Sequence, residues 1–137
     1  MKNSIFTILL SLLLFTSVLA GNDISLVTFY QQYNQIDLIQ DIESNGVFNG
    51  YVADFLMNDD NPIDQKAAVV NAFIANNATG NISETFKQFL AREYKEDFTN
   101  MNLEKLNGEE YFLLGYLTLI DEKGNPEKAL PLLETAN

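Results

Sequence analysis

Beyond residue 20, large apolar side chains recur three and four positions apart, and strand-like alternation hardly occurs. That spacing puts them on one face of a helix. Leu26, Phe29, Tyr33, Ile36 and Ile39 make the first stripe, which Asn45-Gly46 should stop. Phe48, Tyr51, Val52, Phe55 and Leu56 make the second. Asp59-Asp60-Asn61-Pro62 then breaks the pattern, with Asn61 placed as N-cap and Pro62 as first helical residue. Ile63, Ala67, Val70, Phe73 and Ile74 form a third face ending near Asn76-Asn77.

Asn81-Ile82-Ser83-Glu84 has the form of a capping box, opening a fourth helix with Phe86, Phe89, Leu90 and Tyr94. Residues 98–107 are less regular and read as a loop or a short helical turn. Asn107 is placed to cap a fifth helix, with Glu109 and Glu110 at its positive end. Tyr111 to Ile120 is apolar nearly all round, which predicts the most buried element. Gly124-Asn125-Pro126 opens a last segment carrying Ala129, Leu130, Leu132 and Leu133. The expected class is all-α: five to seven short helices in antiparallel hairpins, as a repeat-like stack or a small bundle.

The front of the chain reads differently. Lys2 is followed by fifteen uncharged residues, Ile5 to Leu19, and then by Ala20. This is the charged, apolar and small-residue order of a secretory signal, with cleavage expected after Ala20. The apolar run falls short of the ~20 residues that span a bilayer as a helix. The expected product is an exported protein, periplasmic or secreted, with no stable membrane insertion. Its single all-α domain would run over 21–137, about 117 residues, which suits one modest core.

Composition narrows the chemistry. The chain has no Cys, His or Trp, so thiol nucleophiles, His bases, Cys/His metal sites and disulfides are all excluded. Its net charge is −11 from 8 basic and 19 acidic residues, and losing Lys2 with the signal takes it to −12. Nucleic acids are held by Lys and Arg neutralising phosphates, so they are not expected partners. Asn77-Ala78-Thr79 and Asn81-Ile82-Ser83 have the form of glycosylation acceptors, which would matter only in a eukaryotic secretory route.

Tyr111-x-x-Leu114-Gly115 is followed by Thr118, and Ala129-x-x-x-Leu133 by Ala136. Together with the Gly124-Asn125-Pro126 turn, residues 108–137 resemble a tetratricopeptide-type helix–turn–helix repeat. In that pattern small residues let paired helices approach closely and large ones fill the gaps. Thr118 stands where the family has Tyr, and the turn is about two residues longer than the standard repeat. Pro131 falls inside the expected second helix, where it should cost up to ~3 kcal/mol or kink the chain. Gly50-Tyr51 with Asn61-Pro62 is a fainter upstream echo of Gly115-Tyr116 with Asn125-Pro126. Repeat stacks need a polar terminal helix. None follows Ala136-Asn137, so an exposed apolar face is expected at that end.

Candidate chemistry is sparse. The oxygen-rich run Asn58-Asp59-Asp60-Asn61 with Asp64 lacks the alternate-position ligands, central Gly and closing Glu of a calcium loop, and so does the run from Asp121. No phosphate loop or nucleophile elbow is present, and no catalytic residue, cofactor or metal ligand is assigned. Repeats of the resembling family are usually scaffolds. The expectation is therefore a binding or assembly module rather than an enzyme, holding a protein or peptide with a basic patch. The alternative is an inhibitor or immunity-type protein that neutralises a basic toxin or hydrolase. Tyr30 and Tyr116 lie partly off the main stripes and are candidates to line an exposed groove, with Glu109 and Glu110 as acidic contacts.

Overall fold

The computed structural model describes residues 28–76 and 81–137. The predicted signal sequence, Leu26 and the Asn77 acceptor lie outside those residues. The described chain contains six α-helices: α1 (Asp37–Asn45), α2 (Gly50–Met57), α3 (Ile63–Ala72), α4 (Ile82–Glu93), α5 (Gly108–Asp121) and α6 (Leu130–Thr135). Short 3-10 turns cover Phe29–Tyr33, Phe73–Asn76, Phe98–Asn100 and Leu103–Lys105. No strand occurs among the described residues. The protein is a small all-α bundle, as the spacing predicts. The expected first helix is instead two pieces, a 3-10 turn and α1, separated at Asn34–Ile36.

The centre of the bundle is α3, which packs against the first 3-10 turn, α1, α2 and α5. Every residue from Lys66 to Phe73 is buried. Ala67, Ala68 and Ala72 keep the helix thin enough for neighbours on several sides. In α5, residues Phe112 to Leu117 and Ile120 are buried. The expectation that α5 would be the most buried element is thus corrected: α3 carries the longer buried run.

Helix ends follow local chemistry in some places and tertiary chemistry in others. Asn107 caps α5 as predicted: its side chain accepts from the Glu110 N–H, and Glu110 accepts from the Asn107 N–H. Gly46 ends α1 with φ +63°, a left-handed conformation that costs an L side chain about 1–2 kcal/mol. Asn76 leaves no room for a Cβ there: its own Cβ would be 3.0 Å away, because its side chain reaches in to the Ile42 carbonyl at 2.6 Å. Lys95 and Lys123 close α4 and α5 with positive φ, each within the paired carbonyl bonds of a Schellman motif.

Two expected caps are replaced, and an expected helix interruption does not occur. Pro62, not Asn61, takes the N-cap position of α3, and Asn61 donates back to the Phe55 carbonyl. Pro131 does not interrupt a helix, because α6 starts only at Leu130 and places the proline in its first turn, where no intrahelical N–H is needed. Asn81 makes no side-chain cap bond. Asp121, from the end of α5, caps α4 instead: its carboxylate accepts from the Ile82 N–H (3.1 Å), the Ser83 N–H (2.9 Å) and the Ser83 hydroxyl. A carboxylate is disfavoured at the negative end of its own helix and favoured at the positive end of another. The charge therefore ties α5 to α4.

The α5–α6 pair is tight. A Cβ on Gly115 would lie 2.7 Å from Leu133 Cδ2 and 3.2 Å from Leu132 Cβ, so only a glycine fits as the helices stand. Leu133 and Ala136 are buried by this packing, and Leu130 stays 41% exposed. The apolar face expected at this end is reduced to that side chain and its immediate surroundings.

The two readings of the α4 cap predict different mutants. Asp121→Ala should lose about 1–3 kcal/mol in urea denaturation at neutral pH. Asn81→Ala should stay within about 0.5 kcal/mol. The reverse order of losses would contradict the cap in trans.

Candidate functional site

Carboxylates distant in sequence meet at one open cleft of about 400 Å³. Asp54 on α2 and Asp59 in the turn after it form one wall, and Glu93 at the end of α4 and Glu110 in the first turn of α5 form the other. No Lys or Arg is among the lining residues. Met57 and Tyr94 add apolar surface, and Asn58 and Asn107 add polar edges.

The cleft is held from below. Tyr94 donates its hydroxyl to Glu110 Oε2 at 2.8 Å, the oxygen that also receives the Asn107 N–H. Glu110 thereby serves the α5 cap and the cleft wall together. The loop between α4 and α5 is pinned by Glu96, which pairs with Lys105 and accepts from the Asn102 N–H at 2.8 Å. Tyr94 also registers the local field. Burial, the bond to Glu110 and the negative charges of Glu110, Asp59 and Glu93 push its pKa up to about 12. Burial, the largest of these causes, disfavours charge of either sign; only the three carboxylates' negative field would favour a cation.

The lining therefore concentrates negative charge on one open surface. Among the described residues, no group of three or more Asp or Glu is placed to hold a metal ion. Part of the oxygen-rich run is engaged within the fold: Asn58 accepts from the Asp60 N–H, and Asp64 accepts from the Tyr33 hydroxyl at 2.8 Å. A second opening of about 430 Å³ lies between the start of α4 and the α5–α6 pair. Lys87 and Lys128 line it beside Glu84, Asp121 and Glu122, so it favours neither sign of charge.

The four residues singled out from the sequence have structural positions. Tyr30 and Tyr116 are 4% and 2% exposed, which corrects the expectation that they line an open groove. Both belong to a buried polar link: the Tyr30 N–H donates to Asn71 Oδ1, and Asn71 Nδ2 donates to the Tyr116 hydroxyl at 2.6 Å. Burial drives the Tyr116 pKa far above its usual value, with the Asn71 bond acting against that rise. Glu109 pairs with Lys66 at 2.9 Å, compensating a lysine that is only 2% exposed. Glu110 alone of the four lines the cleft. Of the carboxylates that complete it, Asp59 drew notice only within a run that fails as a calcium loop. Asp54 and Glu93 carry no sequence signal, because their meeting depends on how α2, α4 and α5 pack.

Comparison with protein-family models, with curated proteins and with solved structures gives no match. The cleft therefore has to be interpreted from its own chemistry. Among the described residues, no helix is long and apolar enough to cross a membrane.

The raised Tyr94 pKa sets a sign for alkaline stability. Its bond to Glu110 is complete below the ordinary tyrosine value near 10 and is lost as pH rises through about 12. The stability difference between the wild type and Tyr94→Phe, measured by urea denaturation, should narrow across that window. A difference that stays constant would contradict the Tyr94–Glu110 bond.

Proposed function

We propose that this protein is an exported helical binding or assembly module that holds a protein or peptide partner by its basic patch in the α2–α4–α5 cleft. The observation that carries the reading is a concave surface with four carboxylates and no basic side chain in its lining. The net charge of −11 extends the same field and would speed encounter with a cationic partner. The repeat-like hairpin is a supporting feature: helical repeats commonly present scaffolds for partners, and α5 contributes both to that hairpin and to the cleft. The signal-like front of the chain is the basis for placing the partner outside the cytoplasm. An inhibitor of a basic toxin or hydrolase would use the same surface, and the partner's identity separates the two.

The test is capture from the native extracytoplasmic fraction, followed by binding measurements with the purified partner. Combined Asp54→Asn, Asp59→Asn and Glu93→Gln should weaken binding about 5- to 30-fold at low salt and by less as salt rises. Neutralising Glu127 and Glu134, which lie outside the cleft, should leave the affinity within about twofold. Equal losses from the two sets would overturn the cleft as the binding surface.

A further inference from the structure

Beside the cleft, α2 presents a side chain that the fold leaves uncovered. Tyr51 is 79% exposed, the most exposed of the large apolar side chains among the described residues. It makes no hydrogen bond or ring contact among the described residues. Val47, just before the helix, is also 52% exposed. Tyr51 and Asp54 are three residues apart on α2, so they are neighbours on one surface stripe. Helical side chains lean toward the N-terminus, which brings the Asp54 carboxylate over the turn that carries Tyr51. Asp54 is also a wall of the cleft. The uncovered ring and the acidic cleft therefore form one continuous surface.

We infer that this surface selects arginine: the partner segment places a guanidinium flat on the Tyr51 ring and against Asp54, with its other basic groups in the cleft. The inference rests on the proposed cationic-partner reading and deepens it. Two chemical facts point to arginine over lysine. A planar, weakly hydrated guanidinium stacks on an aromatic face while still pairing with a carboxylate at its edge, whereas a compact ammonium keeps its water. Arg92 Cζ already sits over the Phe89 ring, 5.3 Å from its centroid, both residues being on the neighbouring α4, so a guanidinium–aromatic contact already occurs beside α2. Phe89 is the side chain that Gly50, next to Tyr51, approaches.

The test compares hexa-arginine and hexa-lysine, acetylated and amidated, binding to protein purified from cells that express the full chain. The two peptides carry the same charge, so a purely electrostatic surface binds them alike. The wild type should bind hexa-arginine about two- to fivefold more tightly. Tyr51→Ala should bring the two affinities together, and Tyr51→Phe should keep the preference because the ring face remains. At a site this exposed neither substitution threatens the fold. Equal affinities in the wild type, or a preference that survives Tyr51→Ala, would overturn the arginine assignment and leave the cationic-partner reading standing. Binding of neither peptide at low salt would overturn both.

Discussion

A buried stretch of helix has no water to satisfy its polar side chains, and the buried part of α3, from Lys66 onward, carries two of them, Lys66 and Asn71. Leaving either unpaired would cost kilocalories that a small domain lacks. The partners come from α5: Glu109 receives Lys66, and Tyr116 accepts from Asn71. Both pairs advance in the same direction along the two helices, so α3 and α5 run in the same general sense and their register is fixed at two points. Asn71 also accepts from the Tyr30 N–H, which anchors the entry to the bundle. The remaining architecture is arranged around this polar seam.

From that seam the order passes outward to the cleft. Fixing Glu109 fixes the first turn of α5, where the Asn107–Glu110 capping box sits. Glu110 then holds the Tyr94 hydroxyl, and Tyr94 ends α4. At the opposite end of α5, Asp121 secures the start of α4. The α4–α5 pair is thus tied at both ends by carboxylates, and these bonds hold one wall of the cleft in place. Preorganised charge of this kind spares a ligand the cost of ordering its site.

The sequence shows the helices more clearly than it shows their surroundings. Three-and-four spacing locates most elements, and Gly46 and the Asn107–Glu110 box mark ends correctly because these signals are local. Tyr30 misleads because its segment is a 3-10 turn rather than the α-helix that the stripe assumes, so Tyr30 and not Phe29 or Tyr33 faces inward. Tyr116 misleads because stripe reasoning assumes an exposed back face. In a bundle whose central helices are buried nearly all round, an off-stripe aromatic is still interior. Asn81 misleads for a related reason: a carboxylate on a distant helix outcompetes its amide for the same N–H groups. Pro131 looks like a helix breaker only if α6 begins early. Asp54, Asp59 and Glu93 look like ordinary solvated acids, and only the packing of α2 against α4 brings them together.

The most direct measurement is a residue-resolved one. Titrating isotope-labelled protein with a short arginine-rich peptide at low salt and following backbone amide shifts would map where a cation settles. The account predicts shifts concentrated on α2, the turn through Asp59, the end of α4 and the first turn of α5, saturating together. Shifts scattered evenly over the acidic exterior, or centred on the opening between α4 and α6, would contradict it.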